Sequence, residues 1–329
     1  MIRIGTRISP DWLDRPDDLR FLKQIGVDYA DITLDICPNF AESGGRANKE
    51  GLQHMVDALD AAGLAVERAN ALSRFMQAIY LDEEGADQEL DNLVHNVELC
   101  GEFGFPVVGV QCFGAGQFQP FSDKTHSYIE GRGGYQHLKV DLSEALDREL
   151  LARAPTHDEI WERTLKIYRT IIPVAEQVGV KIAMHGNDPP VPSLFGVPQI
   201  LYNFDAFERL FSEVPSDSNC MTFCVGTRYE SGENIYEGIR RFGEKIVHVH
   251  FRNVQGTIPV KTGYAEVIPD GGDIDMFRVA KALREVGYSG VLDYDHVMRL
   301  TTDGKAGREY IAFCVGHTRG VLQALESVG

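Results

Sequence analysis

At four points in the second half of the sequence, a short apolar run ends in a side chain that can bind a metal ion. These side chains are His185, Cys224, His250 and Asp295. Imidazole, thiolate and carboxylate groups together suit a divalent first-row metal ion. If the apolar runs are parallel strands of one barrel, their carboxyl ends meet at one face and the four side chains converge. We therefore interpret these residues as one metal site.

Each of the four residues also has an ordinary structural explanation when it is taken alone. A histidine at a strand end is commonly a hydrogen-bonded structural residue, a buried cysteine packs as a small hydrophobic group, and an aspartate caps a helix. The metal interpretation is favoured because it explains all four residues at once. The run that contains His250 also contains His248. We assign the ligand role to His250 because the chain leaves the predicted barrel next to it.

The apolar runs alternate with helical patterns along the whole sequence, and a glycine follows most of the helical patterns, where a left-handed cap is favoured. Eight such units predict an α/β fold, a single closed (β/α)8 barrel of parallel strands. An open doubly wound sheet is the alternative, but residues 5–10 are not the glycine-rich phosphate loop that usually follows its first strand. The predicted strands are 2–5, 27–34, 64–69, 106–112, 180–184, 219–223, 246–251 and 290–294. The predicted helices are 16–25, 48–62, 87–103, 157–178, 205–213, 235–242, 274–286 and 307–328. The glycines are Gly26, Gly63, Gly104, Gly179, Gly243 and Gly287.

One long segment, residues 113–154, interrupts this alternation after the fourth predicted strand. It is rich in glycine and contains His126 and His137. Loops of this length in a compact domain are commonly lids or binding loops. We interpret the segment as a lid-like insertion over the C-terminal face of one barrel domain, residues 1–329, with a plain surface excursion as the alternative.

Composition narrows the partners of the protein. The chain has 329 residues, of which 43% are hydrophobic, and a formal net charge of -17. An acidic chain argues against nucleic acid and anionic membranes as partners. The six cysteines have no C-x-x-C spacing and are expected to be reduced. No apolar stretch approaches the length of a membrane span or a signal peptide, so we expect a cytoplasmic protein.

Six short sequence motifs within residues 181–300 follow one another along the chain, and their combination resembles the mannonate dehydratases, barrel enzymes related to xylose isomerase. The motifs are His185-x-x-Asp188-Pro-Pro190, Phe195-Gly-Val-Pro198, Phe223-Cys-Val-Gly226, His250-Phe-Arg-Asn-Val254, Asp270-Gly-Gly-Asp-Ile-Asp-Met276 and Asp295-His296.

The resemblance implies a cytoplasmic lyase of hexuronate degradation that converts D-mannonate to 2-keto-3-deoxy-D-gluconate and water, and we expect a homo-oligomer. It implies that the four residues above hold an ion similar to Mn²⁺, with Mg²⁺, Fe²⁺, Co²⁺ and Zn²⁺ as alternatives. It also implies that His296 and a tyrosine act in acid/base chemistry. Tyr310 is the nearest candidate for that tyrosine.

The proposed chemistry also needs groups that bind a sugar acid. Eliminating water from a 2,3-dihydroxy acid means removing a proton next to the carboxylate, so the developing negative charge needs a metal ion or cations. Arg252 and Asn253 follow His250 directly, Arg228 follows Cys224 at short range, and Asp188 follows His185. We predict that these four residues bind the substrate, with the arginines on its carboxylate.

Two other functions fit the same predicted frame. A metal-dependent sugar isomerase or epimerase would commonly use a pair of glutamates, and the strand ends have no evident pair. A non-catalytic sugar-binding barrel would not need His296 beside a metal ligand. The dehydratase is therefore the preferred interpretation.

Overall fold

Eight parallel strands close into a barrel, as the alternation predicts. The computed structural model describes residues 1–118, 122–304 and 306–327. Around the barrel the strands follow the order β1-β14-β11-β10-β7-β4-β3-β2, and each pair of neighbours is parallel. These barrel strands are β1 (Arg3–Arg7), β2 (Tyr29–Thr33), β3 (Ala65–Ala71), β4 (Val107–Gln111), β7 (Lys181–His185), β10 (Asn219–Cys224), β11 (Ile246–His250) and β14 (Val291–Asp293). Six further strands lie outside the barrel: β5 (His126–Glu130), β6 (Gln136–Asp141), β8 (Ser193–Leu194), β9 (Val197–Pro198), β12 (Asn253–Gln255) and β13 (Gly263–Val267).

All eight predicted helices form, with both ends close to their predicted positions, although Val328 lies outside the described residues. They are α1 (Pro16–Ile25), α2 (Lys49–Ala62), α4 (Ala86–Glu102), α7 (His157–Val178), α8 (Phe204–Glu213), α10 (Ile235–Phe242), α12 (Met276–Glu285) and α13 (Arg308–Ser327). The shorter helices are α3 (Gln77–Leu81), α5 (Ala115–Phe118), α6 (Ser122–Thr125), α9 (Val225–Glu230) and α11 (Ile258–Lys261). None of the helices in the described part of the chain is long and apolar enough to cross a membrane.

Local signals fix the ends of several helices. Thr156 and Glu159 form a reciprocal capping box at the start of α7, and Gly179 closes the helix at φ 74°. The prediction that Gly243 is a left-handed cap is wrong. Its φ is -41°, because α10 runs on into a short 3₁₀ helix, Gly243–Lys245, which carries the chain to β11.

The predicted insertion after the fourth strand is confirmed, but most of it is regular structure. Its strands β5 and β6 join β12 and β13 in an antiparallel sheet of order β12-β13-β6-β5. Glu266 pairs with Leu138 in this sheet, and Tyr264 pairs with Val140. Residues 119–121 of the segment lie outside the described residues. Closure of the insertion as a lid and the single-domain organisation stay predictions.

Candidate active site

A cavity of about 450 Å³ opens at the carboxyl ends of the barrel strands. Barrel enzymes place their active sites at this end because loops from many strands meet there. The antiparallel sheet covers part of the opening with one face, since cross-strand neighbours and alternate residues of a strand share a face. The barrel contributes Arg7, Gln111, His185, His250 and Asp295, and the sheet contributes His126, Leu138, Tyr264 and Glu266.

Three of the four predicted metal ligands form a compact buried cluster. The ligand atoms of His185, Cys224 and His250 all lie within 4.8 Å of one another. The residues end β7, β10 and β11, which are adjacent in the barrel. Asp295, the fourth predicted ligand, lies beside the cluster, with Oδ2 3.3 Å from Nδ1 of His250. The structure thus brings the predicted set together.

The protonation state of His185 fits a bound cation. Nδ1 of His185 lies 2.7 Å from the carbonyl oxygen of Gly186 and must donate to it, which leaves Nε2 unprotonated for a metal ion. Burial lowers the pKa of His185 to about 4, so its ring is neutral. Nδ1 of His250 is buried without a hydrogen bond among the described residues.

The sulfur of Cys224 is surrounded by hydrogen-bond donors. The hydroxyl of Thr227 donates to Sγ over 3.0 Å, and the Thr227 amide does so over 3.5 Å. Burial raises the pKa of the Cys224 thiol, and Arg252 and the Thr227 hydroxyl act in the opposite direction. Two donors on one sulfur suit a thiolate ligand, the form in which cysteine binds metal ions.

Asp295 redirects the chain at the end of the last barrel strand. Its φ is 66°, in the left-handed region, and the amide of His296 bonds to the carbonyl of Tyr294. This tight turn carries His296 toward the cavity instead of along the strand. Nε2 of His296 lies 3.4 Å from Asp295 Oδ2, so both side chains reach the same site.

A buried ion pair lies against the cluster on its barrel side. Arg68 bonds to both carboxylate oxygens of Asp31, over 3.0 and 2.8 Å, and its Nη2 lies 2.9 Å from Nε2 of His250. The possible ligand atoms of Asp31, His248 and His250 also lie within 4.8 Å of one another. The Arg68 guanidinium already supplies positive charge to Asp31, which makes this second group less suited to a cation than the His185, Cys224 and His250 cluster.

His248 shares the barrel interior with His250, since residues two apart in a strand point to the same side. Their ring centroids are 5.3 Å apart, and Nδ1 of His248 lies 2.8 Å from Glu67 Oε2. His248 is fully buried and does not line the cavity. The choice of His250 therefore agrees with the geometry, because His250 lies at the end of the strand and lines the cavity.

Arg252, predicted to bind the substrate, is instead surrounded by carboxylates of the protein. Its guanidinium lies 2.7 Å from Asp188, 2.6 Å from Glu230, 3.4 Å from Glu266 and 3.2 Å from Asp295. The side chain is buried and is absent from the cavity wall. Arg252 neutralises and positions these acidic groups, and it has no open face for a substrate carboxylate.

Gly226 makes room for this arginine. A Cβ at Gly226 would lie 2.7 Å from Nη1 of Arg252, which is too close for any side chain. Packing therefore explains the glycine in the motif Phe223-Cys-Val-Gly226, since the absence of a side chain lets the Arg252 guanidinium approach the turn after β10.

The other predicted substrate-binding residues have different surroundings. The Asn253 side chain is buried and bonds to the backbone at Pro269 and Ile274. Arg228 is buried and pairs with Glu233 at 3.2 Å. Neither residue lines the cavity, whereas Asp188 does. Only Asp188 of this group lies where a substrate could contact it.

His296 forms a close pair with Glu266, which the sequence did not single out as a site residue. Nδ1 of His296 lies 2.7 Å from Glu266 Oε2, and 39% of the His296 side chain is exposed. Burial of the ring opposes its charge, but Asp295 and Glu266 outweigh it and raise the pKa of His296 to about 10. The ring is therefore an imidazolium at neutral pH and can donate a proton.

The tyrosine on the cavity wall is Tyr264, not Tyr310. Tyr264 lies on β13, two residues before Glu266 and on the same face, and its hydroxyl donates to Asp188 Oδ1 over 3.0 Å. Tyr310 is buried on α13, with its ring 6.2 Å from that of Tyr294. The alternation Tyr264-Ala-Glu266 was the signal that could have revealed both cavity residues.

A family model gives the decisive comparison. The model described as D-mannonate dehydratase (UxuA) matches residues 144–328, which is more than half of the chain. The chain belongs to the mannonate dehydratase family. The matched region contains the cluster of His185, Cys224 and His250 together with Glu266 and His296.

Curated relatives match over a similar extent. The mannonate dehydratase of Thermotoga maritima is 38% identical over 143 residues, which cover 42% of this chain and 39% of that protein. Mannonate dehydratase 2 of Halalkalibacterium halodurans is 33% identical over 178 residues, which cover 52% of this chain and 51% of that protein. The matched region thus spans about half or less of these relatives.

A solved structure extends the likeness of fold to nearly the whole chain. The mannonate dehydratase of Streptococcus suis serotype 2 superposes with a TM-score of 0.83 and 23% identity. The superposition covers 99% of this chain and 94% of that one. The N-terminal half therefore shares the family fold, although the family model does not match its sequence.

Some of the residues that line the cavity belong to the region that the mannonate dehydratase model matches, and others precede it in the sequence. Arg7, Arg74, Gln111 and His126 all line the cavity and precede residue 144. Arg7 is not among the predicted site residues, because the sequence predicts that the first strand ends at residue 5, whereas β1 continues to Arg7. Side chains of this N-terminal wall are thus the part of the cavity lining that the family model does not cover.

Proposed function

We propose that the protein is a metal-dependent hydro-lyase that removes water from a sugar acid, as in the conversion of D-mannonate to 2-keto-3-deoxy-D-gluconate. One observation carries the proposal. His185 and His250 of the cluster with Cys224, and the pair of His296 and Glu266, line the same cavity, within the region matched by the mannonate dehydratase model. A metal site beside a proton donor is what an elimination next to a carboxylate needs.

The residues that would hold the ion are His185, Cys224, His250 and Asp295. We favour Mn²⁺, because the set includes a carboxylate and the substrate offers oxygen ligands; Mg²⁺, Fe²⁺, Co²⁺ and Zn²⁺ are the alternatives. When bound, the ion supplies positive charge that stabilises the negative charge developing on the substrate acid. Metal analysis of the purified protein distinguishes among these ions.

His296 is the proton donor of the proposed reaction. The leaving hydroxyl needs a proton as its bond to carbon breaks, and an imidazolium on the cavity wall can provide one. The Glu266 carboxylate orients the ring through Nδ1, and Nε2 lies 3.4 Å from Asp295 Oδ2, beside the proposed metal site. Tyr264 adds a hydroxyl that can bind a substrate oxygen. Burial and the charge of Asp188 raise the pKa of Tyr264 well above its ordinary value, so the phenol stays protonated.

His126 is the proton acceptor that the geometry favours. It belongs to the insertion, lines the cavity, and lies 2.7 Å through Nδ1 from the hydroxyl of Thr125. Burial lowers the pKa of His126, so the ring is neutral and can take the proton from the carbon next to the substrate carboxylate. His296 and His126 are thus two histidines whose surroundings drive their pKa values apart, as an acid and a base require.

The direct test is turnover by the metal-loaded protein. A panel of hexonates and pentonates that includes D-mannonate should yield a 2-keto-3-deoxy acid with a mass lower by one water. The same protein after metal removal is the control and should be inactive. A product that keeps the mass of its substrate would instead indicate an isomerase or epimerase, and no change in any acid of the panel would refute the dehydratase.

The setting of the enzyme is also a proposal. The family supports a role in hexuronate degradation, and the sequence predicts a cytoplasmic homo-oligomer without nucleic-acid or membrane partners. The native mass of the purified protein tests the homo-oligomer.

A further inference from the structure

We propose that Arg7 binds the carboxylate of the substrate acid and thereby selects acids over neutral sugars. This inference rests on the proposed function, because it takes the substrate to be a sugar acid. It gives the carboxylate-binding role to the N-terminal wall of the cavity, and not to Arg252, Asn253 or Arg228.

The position of Arg7 leaves part of its guanidinium open to the cavity. It is the last residue of β1, lines the cavity, and has 35% of its side chain exposed. Nε lies 3.2 Å from Asp31 Oδ2, and Nη2 lies 3.5 Å from Asp295 Oδ1. These contacts hold one edge of the planar group and leave Nη1 for an incoming anion. A preoriented guanidinium binds a carboxylate with good geometry.

The carboxylates of the cavity wall already have partners. Asp188 pairs with Arg252, and Glu266 pairs with His296. Among the described residues, the arginines on the cavity wall are Arg7 and Arg74, and no lysine lines it. Apart from His296, which is paired with Glu266, a substrate carboxylate that enters the cavity therefore has two cationic side chains to bind.

Arg74 is the weaker of these two positions. It belongs to the short 3₁₀ helix Ser73–Met76, its side chain is 58% exposed, and it pairs with Asp35 at 3.1 Å. Its guanidinium also packs over the ring of Phe75. An exposed, paired arginine gains little from one more anion, because water screens the interaction. Arg7 is more enclosed and is fixed by acidic groups on one side.

The contacts of Asp295 connect Arg7 to the metal cluster. One oxygen of Asp295 faces Arg7 at 3.5 Å, and the other faces His250 Nδ1 at 3.3 Å. A carboxylate on Arg7 would therefore lie next to the cluster. Positive charge at Arg7 would also stabilise the anion that forms during the elimination.

The test compares binding of an acid with binding of its neutral analogue. D-mannonate and D-mannitol differ only in the carboxylate, and the affinity of the metal-loaded protein for each is measured by calorimetry. We expect the wild-type protein to prefer the acid, and Arg7→Gln to weaken acid binding by about tenfold to a hundredfold with little effect on mannitol. Arg7→Lys should restore part of the preference for the acid.

Two further variants locate the anion. Arg3→Gln removes an arginine from the same strand at the opposite end of the barrel, where Arg3 bonds to Ser289, and should leave the acid preference intact. Arg74→Gln should weaken acid binding much less than Arg7→Gln. Metal content and thermal unfolding of Arg7→Gln are measured as well, so that damage to the cluster is recognised.

Several results would overturn the assignment. These are an equal loss of acid and alditol affinity in Arg7→Gln, a larger loss in Arg74→Gln, and a wild-type protein without preference for acids. The assignment can also be separated from the proposed function. Acid binding that depends on Arg7 without elimination of water would refute the dehydratase alone. Turnover of an acid that persists in Arg7→Gln with unchanged KM would refute the role of Arg7 alone.

Discussion

Nδ1 of His296 lies 2.7 Å from Oε2 of Glu266, although the two residues are 30 positions apart and belong to different parts of the fold. Glu266 comes from β13 in the sheet that covers the cavity, and His296 comes from the turn after the last barrel strand. The pair therefore forms only when the sheet lies over the barrel. The contact with Glu266 helps to keep the His296 ring protonated, and it fixes the orientation of the ring.

Replacement of His296 by Asn should remove the proposed proton donor and leave the metal cluster in place. We expect kcat to fall by about a hundredfold or more, which is typical for loss of a proton-transfer group. Metal content and the unfolding midpoint should stay close to wild type, because the ring is partly exposed. Loss of metal together with activity would show that His296 is a ligand or a structural residue.

Replacement of Glu266 by Gln should change the pH dependence of catalysis. The negative charge of Glu266 helps to raise the pKa of His296 to about 10, so its removal lowers that pKa. The donor is active only when protonated, so the rate falls as the pH rises through the pKa of His296. The alkaline limb of kcat/KM should therefore move to lower pH in Glu266→Gln. An alkaline limb at the wild-type position would remove the pair from the mechanism.

Cys224 and Cys220 give a matched comparison for the metal site. Both lie on β10 and both are buried, but Cys220 bonds to the carbonyl of Asp217, away from the cluster. Cys224→Ser should lower the amount of metal bound in solution, because a hydroxyl is a poorer ligand than a thiolate. Cys220→Ser should bind as much metal as wild type. Equal metal content in the two variants would exclude Cys224 as a ligand.

The fold and the metal cluster could be predicted because both leave local signals in the sequence. Apolar runs that end in a polar group mark barrel strands, and adjacent strand ends meet in space. The N-terminal wall of the cavity, which contains Arg7, left no such signal in the sequence. Arg7 lies just past the predicted end of its strand, and whether an arginine faces the cavity or is surrounded by carboxylates, as Arg252 is, depends on contacts between distant segments.

The antiparallel sheet explains why Tyr264 and Glu266 were not among the predicted site residues. Tyr264 and Glu266 reach the cavity because β13 pairs with β6, a strand that comes more than a hundred residues earlier in the chain. No local pattern specifies that pairing, and the insertion was predicted only as a lid-like segment. The resemblance therefore favoured Tyr310, which lies on α13, as the acid/base tyrosine.

Asp293 should make the stability of the barrel depend on pH. Burial, followed by the charge of Asp31, raises the pKa of Asp293 to about 6, and Oδ2 is buried without a hydrogen bond in the described part of the chain. The folded protein binds this proton more tightly than the unfolded chain does. The stabilisation is therefore complete below about pH 4 and is lost as the pH rises through about 6.

Asp293→Asn tests this dependence with a neutral side chain of the same shape. At pH 7 the variant should be more stable than wild type, on the order of 1–3 kcal/mol, with little difference near pH 4. Urea unfolding of the metal-free proteins at several pH values measures the effect without a contribution from the ion. Asp28→Asn, which changes an exposed carboxylate, is the control. A variant less stable than wild type at pH 7 would show that the carboxylate is charged and needed.

The two candidate tyrosines can be separated by removing one hydroxyl at a time. Tyr264 lines the cavity and donates to Asp188, which is itself fixed by Arg252. Tyr264→Phe should therefore lower kcat/KM by about tenfold, the effect of losing one hydrogen bond to a charged or reacting group. The ring still fills its place in the sheet, so the loss of stability should be only about 1 kcal/mol.

Tyr310→Phe is the matched change in a buried tyrosine that does not reach the cavity. Its ring packs against Tyr294, so the substitution should change stability slightly and leave kcat and KM within about twofold of wild type. Steady-state kinetics of both variants, with their unfolding midpoints, decide between them. Loss of turnover in Tyr310→Phe with an unchanged Tyr264→Phe would restore Tyr310 as the catalytic tyrosine. It would also mean that α13 moves when substrate binds, because the present position of Tyr310 keeps its hydroxyl away from the cavity.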